Sequence, residues 1–361
     1  MIPIAKPQLD ETEIQAVSDV LRSGIIAEGQ FVADFEQAFA EYTGTEHAVA
    51  VNSGTAALHA ALLAHGIGKN DEVITSSFSF IATANSILFT GAKPVFADIK
   101  SDSFNIDPQL IEGKITSATK AIMPVHLYGQ AAEMDAINEI AEDHGLIIIE
   151  DACQAHGATY KGKKVGSFGT GAFSFYPTKN MTTSEGGILT TNDEIIAEKA
   201  RMIRAHGSKQ RYLHEMLGYN LRMTNISAAI GLAQIKKLPD YTARRQHNAK
   251  LLTEKLSGIE GIQCPSVMKN CTHSFHQYTI RTQNRDELSD YLRDNGIGSG
   301  IYYPIPIHRQ PYYKELGYND SLIVTEKASR EVLSLPVHPG VSDEDIETIS
   351  NAIKNWGGPK C

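Results

Sequence analysis

The sequence predicts an α/β protein, with a doubly wound, mostly parallel seven-stranded sheet in a large domain (residues 1–240) and a smaller C-terminal α+β domain (residues 241–361). Three observations carry that prediction. Seven short apolar runs punctuate the first part of the chain, at Ala48–Val51, Glu72–Thr75, Pro94–Ala97, Ala121–Val125, Leu146–Glu150, Ala172–Tyr176 and Gly187–Thr190. Several are continuously apolar and rich in Val and Ile, as strands covered on both faces are. Stretches of helical period separate most of the runs, and strand–helix alternation of this kind builds a parallel sheet. Near Pro239-Asp240 the pattern changes and strand signals thin out.

The elements follow in order. Asp10 can N-cap a first helix that carries Ile14, Val17 and Leu21, with Gly24 to stop it. Phe35, Phe39 and Tyr42 repeat at helical spacing ahead of Gly44, and the run at 48–51 feeds a helix over Ala56–Ala64. Beyond residue 240, Tyr241–Leu256 reads as a polar helix and Tyr278–Thr282 as a strand. Asp286–Asn295 reads as a helix ended by Gly296, followed by the turn-rich Tyr303-Pro304-Ile305-Pro306. A last helix starts at Ser342, with Asp345 three residues on in a capping-box pattern, and presents Ile346, Ile349 and Ile353. No internal repeat or low-complexity tract interrupts this order.

Composition narrows the function classes. The 361 residues include 33 Lys+Arg against 42 Asp+Glu, a formal charge of −9, which argues against a nucleic-acid surface. No apolar run reaches the ~18 residues of a membrane span, and Met1–Pro7 lacks the basic and apolar regions of a secretory signal. Cys153, Cys264, Cys271 and Cys361 are too far apart for CxxC pairs, so neither a disulfide framework nor a metal site is expected. A cytoplasmic enzyme is the expectation.

Three segments could carry its chemistry. Asn52-Ser53-Gly54-Thr55 follows a strand and opens a helix, so backbone N–H groups and the helix dipole would face an anion such as phosphate. Read alone, the segment is first of all an ordinary capped helix start. Glu150-Asp151-Ala152-Cys153-Gln154-Ala155-His156-Gly157 ends another strand, where α/β sheets bind ligands. Asp151 there could be a general base, a metal ligand, a partner for a protonated ring nitrogen, or a helix cap, and His156 could be a packing residue. Ser174-Phe175-Tyr176-Pro177-Thr178-Lys179-Asn180 places Lys179 among small hydroxyl residues, where a desolvated amine can act as a nucleophile. Lys161, Lys163 and Lys164 read instead as a solvated turn. An anion cradle, a carboxylate and a lysine on one sheet are together what pyridoxal phosphate (PLP) requires.

These residues resemble the sugar aminotransferase family often called DegT/DnrJ/EryC/StrS, of the PLP-dependent transferase fold type I. The resemblance covers nearly the whole chain: Val51–Leu58, Asp71–Ile74, Phe80–Asn85, the Asp151 and Lys179 segments, Gly218–Thr224, Tyr303–His308 and Leu333–Pro336. It implies that Lys179 is the Schiff-base lysine and proton carrier, and that Asp151 pairs with the pyridinium nitrogen. It further implies Gln154 near the ring oxygen, Phe80 stacked on the ring, and Gly54, Thr55 and Ser174 on the 5′-phosphate. Asn220 would reach that phosphate from a neighbouring subunit, making a homodimer with shared sites. Arg222, Tyr303 and His308 would touch the nucleotide sugar or the donor carboxylate. Tyr302 departs from the family, many members having His there, and the presence of Lys179 sets the chain apart from dehydratase members. The implied reaction is amination of a nucleotide-linked 3- or 4-keto hexose by L-glutamate, in amino sugar and polysaccharide biosynthesis. The alternatives are a keto-inositol acceptor or a regulatory PLP-binding protein without turnover.

Overall fold

Seven strands make the central sheet of the computed structural model, which describes residues 1–356. They are β1 (His47–Val51), β2 (Glu72–Ser76), β3 (Lys93–Ala97), β4 (Thr119–Met123), β5 (Ile147–Asp151), β6 (Thr170–Ser174) and β7 (Gly187–Thr191), each overlapping one of the seven apolar runs. Their spatial order is β1-β7-β6-β5-β4-β2-β3. The pairs from β6 through β5, β4 and β2 to β3 are parallel. β7 pairs antiparallel with both β1 and β6, so it alone runs against the rest.

Strand alternation divides the core. Val49 and Val51 of β1 face one layer, packing with α3 (Gly54–Ala64) and α6 (Glu194–Arg204). Ala48 and Ala50 face the other, with α2 (Gln30–Thr43) and α7 (Asn225–Leu256). α3 is buried around nearly its whole circumference, which is why its sequence is apolar without a polar face. On the opposite layer Phe39 meets Phe173 and Phe175 edge-on, at ring separations of 5.0 and 5.3 Å. α1 (Glu11–Ser23) begins with the expected Asp10 cap, completed by Glu13 as a capping box, and ends at Gly24 with φ 72°. α4 (Ala82–Phe89) and α5 (Met134–His144) complete the winding.

The change of pattern at Pro239-Asp240 falls inside α7, which runs unbroken for 32 residues. Proline removes one N–H from the helical ladder, yet the helix continues because both its halves are packed. Leu238 joins the layer of α2, whereas Leu252 and Leu256 join a separate core. That core contains β8 (Tyr278–Arg281) paired antiparallel with β9 (Val332–Leu335), together with α8 (Arg285–Asp294) and α11 (Asp343–Trp356). Ser342 and Asp345 form the expected reciprocal cap of α11. The first residues of the chain also attach here: Ile2 N donates to Gly296 O and Gly298 N to Ile2 O, both at 2.8 Å. Short helices α9 (Pro311–Glu315) and α10 (Ile323–Glu331) lie between. Among the described residues no helix is long and apolar enough to cross a membrane, and no group of three or more His, Cys, Asp and Glu could hold a metal ion. Cys153, Cys264 and Cys271 are free, and Cys361 lies outside the described residues.

Candidate active site

A cavity of about 450 Å³ is lined by residues that follow the carboxyl ends of β1, β2, β5 and β6, the edge where the sheet was expected to take a ligand. Gly54, Thr55, Phe80, Asp151, Gln154, Ser174, Lys179 and Tyr303 all line it. Residues far apart in sequence meet there because each follows a neighbouring strand end.

The wall built from α3 combines both readings of its segment. Ser53 is the N-cap, its hydroxyl accepting from Ala56 N at 3.1 Å. Gly54 and Thr55, as the first two residues of the helix, have N–H groups without intrahelical partners. Gly54 lies so close to β6 that a Cβ there would be 2.6 Å from Ser174 Cβ and 3.0 Å from Cys153 Sγ. This is a compact backbone cradle with a positive dipole end, suited to a phosphate.

β5 separates its two acids onto opposite sides. Glu150 points away from the cavity and is fully buried, accepting from His126 Nε2 and from the N–H groups of Gly166, Phe168 and Gly169. Asp151 lines the cavity, and its hydrogen-bond partners are neutral: Thr83 Oγ1 at 2.7 Å and Cys153 N at 3.2 Å. A buried carboxylate answered only by neutral donors has room for a cationic partner.

Lys179 sits in the loop after β6, where its N–H donates to Tyr176 O at 2.8 Å and the next residue, Asn180, is pinned to Ser274 O at 2.9 Å. Burial lowers its amine below the usual lysine range, while nearby Cys153 and Asp151 act the other way. The amine is therefore more easily deprotonated than a surface lysine, as a nucleophile must be.

Gln154 is held by Tyr128 N and donates to the Tyr303 hydroxyl, both at 3.0 Å. Phe80 is 54% exposed, so it serves the cavity and not the core, and its ring lies 6.0 Å from that of Tyr303. Three expected residues fall elsewhere. Asn220 is exposed and Arg222 lies 3.9 Å from Glu28; neither lines this cavity. His308, expected as a substrate contact, does not line this cavity either. It is fully buried outside the cavity, with Nδ1 2.7 Å from Ser77 Oγ and Nε2 3.3 Å from Glu326 Oε1, so it joins the β2 loop to α10. His156 is a packing residue, buried between Phe173 and Phe175, and desolvation pushes it down to about 3.

Sequence reasoning gave no role to Thr83, Glu185, His276 and Gln277, which also line the cavity, and Tyr302, singled out as a departure from the family, lines it too. Thr83 stands within the quoted Phe80–Asn85 run, but its hydroxyl reads as helix packing until β5 is beside it. His276 and Gln277 belong to a strap without a motif, placed by Gln277 N donating to Tyr128 O at 3.1 Å.

The cradle at Gly54, Asp151 with its neutral hydrogen-bond partners and the softened Lys179 amine fit the phosphate, ring nitrogen and aldehyde of PLP. A family model, the DegT/DnrJ/EryC1/StrS aminotransferase family, matches residues 7–354. The chain belongs to that family. It is a PLP-dependent aminotransferase. Among its relatives, a protein named pleiotropic regulatory protein from Geobacillus stearothermophilus is 45% identical, covering 97% of this chain and 95% of its own. GDP-perosamine synthase from Caulobacter vibrioides is 43% identical over 98% of this chain and 97% of its own. The X-ray structure of S. venezuelae DesV in complex with a ketimine intermediate is similar at a TM-score of 0.94 and 40% identity, covering 97% and 95% of the two chains.

Proposed function

We propose that this aminotransferase transfers the amino group of L-glutamate to a nucleotide-linked 3- or 4-keto hexose, as a cytoplasmic homodimer. The observation that carries the reading is the convergence of Lys179, Asp151 and the α3 N-terminus on one cavity, in a chain 43% identical to a GDP-perosamine synthase. Bound PLP supplies an electron sink and a carrier for the amino group. Gly54, Thr55 and Ser174 would hold its phosphate, Asp151 would pair with its ring nitrogen, Gln154 would sit near its ring oxygen, and Phe80 would stack on the ring. Nζ of Lys179 removes the proton from Cα of the amino donor and later delivers one to the sugar carbon that receives nitrogen. Tyr303 borders the acceptor. Asn220 and Arg222, which miss the cavity of their own chain, serve the cavity of the partner subunit.

The test is an absorbance spectrum of the purified protein before and after L-glutamate, beside Lys179→Ala, followed by incubation with UDP-, dTDP- and GDP-linked keto-hexoses and a keto-inositol. Bleaching of the visible band by glutamate, and a new amine on one nucleotide sugar, are the expected results. A band indifferent to glutamate would overturn the donor, and amination of the inositol alone would overturn the acceptor.

A further inference from the structure

The loop after β2 and the start of α4 bring Ser79 and Thr83 against Asp151 at the cavity wall. An ionised carboxylate can only accept, so the 2.7 Å contact between Thr83 Oγ1 and Asp151 Oδ2 uses the threonine proton. Thr83 Oγ1 is also 2.7 Å from Ser79 Oγ. With the Thr83 proton committed to Asp151, Ser79 must be the donor in that second bond. The result is a one-way chain from Ser79 through Thr83 to Asp151, in which the three residues are 4%, 1% and 5% exposed. The other carboxylate oxygen is fixed separately by Cys153 N at 3.2 Å. A threonine in the first turn of a helix ordinarily turns its hydroxyl to a nearby backbone carbonyl. Here it reaches a side chain 68 positions away.

We propose that Thr83, oriented by Ser79, is a positioning residue for the ring nitrogen of PLP. It donates to Asp151 Oδ2 and fixes the rotation of the carboxylate. So oriented, Asp151 would present its carboxylate as an acceptor to the ring nitrogen of bound PLP. The inference rests on the assignment of Asp151 to the ring nitrogen, and the test separates the two.

Apoenzyme is titrated with PLP and with its 1-deaza analogue, in which a ring C–H replaces the nitrogen, and dissociation constants are compared for wild type, Thr83→Val, Thr83→Ser, Ser79→Ala and Asp151→Asn. Loss of a hydrogen bond to a charged group should weaken PLP binding by Thr83→Val between about tenfold and about a hundredfold. Affinity for the deaza analogue should stay within about twofold, and Thr83→Ser should restore PLP binding, since the hydroxyl is the operative group. Equal losses for both ligands would mean a merely structural role, and no loss for either would mean no role; both overturn the proposal. If Asp151→Asn discriminates between the ligands and Thr83→Val does not, the Thr83 role alone falls. If Asp151→Asn does not discriminate, the ring-nitrogen assignment falls with it. Should Thr83→Val fail to fold, Ser79→Ala decides, with a PLP-selective loss of about threefold expected and an unchanged ratio overturning the chain.

Discussion

Gly54 and Ser174 lie closer together than two residues with side chains can: a Cβ on Gly54 would sit 2.6 Å from that of Ser174. The start of α3 touches the end of β6 only because position 54 has no side chain. The close approach therefore depends on a missing atom, and Ser174 Cβ, bonded directly to the backbone, cannot swing aside.

Gly54→Ala should accordingly push α3 away from β6. The expected cost is about 1–3 kcal/mol of stability, together with weaker PLP binding. Thermal melting and PLP titration of the apoenzyme check both. Gly113, which has open space where a Cβ would go, is the control. Gly113→Ala should change stability by less than about 0.5 kcal/mol. Equal behaviour of the two variants would remove the steric argument.

Glu150 should matter for stability. Its Oε1 accepts from Phe168 N and Gly169 N, and its Oε2 from His126 Nε2 and Gly166 N. His126 Nδ1 accepts from Ala132 N at 3.0 Å, which leaves its proton on Nε2, aimed at Glu150. Glu150→Gln sets an NH₂ group against two of these donors, at a cost of about 1–3 kcal/mol for each donor left unpaired. Burial pushes the Glu150 carboxyl up, but the donors from His126, Gly166 and Gly169 outweigh it and hold it below 4.5. The unfolded chain thus binds this proton first on acidification. The stability Glu150 contributes is present above pH 4.5 and is lost as pH falls through its folded value. Denaturation midpoints followed from pH 6 downward should fall less steeply in Glu150→Gln than in wild type, and parallel curves would contradict this.

Lys179 should be an unusually reactive amine in the apoenzyme. Burial draws it below the 10.5 of an unperturbed lysine. Because the folded state sheds this proton first, the apoenzyme gains stability as pH rises through the folded value toward 10.5. Competitive acylation read by peptide mass spectrometry should show Lys179 reacting at lower pH than an unperturbed amine, with added PLP protecting it. Lys164 is also lowered by burial but packs against Tyr42, so PLP should leave its labelling unchanged. Protection of Lys164 and not Lys179 would show that the cofactor's lysine is elsewhere.

Much of this was legible before any coordinates. Strand runs at 48–51 and 146–150 were readable because continuous Val and Ile announce a strand buried on both faces. The Asp10 and Ser342 caps were readable because capping involves residues two or three apart. Lys179 and Asp151 stood out by their chemistry and their place after strands. Other features were hidden. Pro239 suggested an interruption, yet packing on both halves of α7 carries the helix through it. The contacts of His308 with Ser77 and Glu326, 231 and 18 positions away, are set by packing that no local pattern shows.

Local stereochemistry is written within a few residues, so the sequence by itself determined the elements, their caps, the ligand edge of the sheet and the lysine–aspartate pair. The order β1-β7-β6-β5-β4-β2-β3 follows from pairing between distant segments, which no local pattern encodes. Only that order could place Thr83 on Asp151, turn Glu150 toward His126, and leave Asn220 and Arg222 outside the cavity of their own chain. Period-2 alternation sets Glu150 and Asp151 on opposite faces of β5, and the packed neighbours decide which of the two lines the cavity.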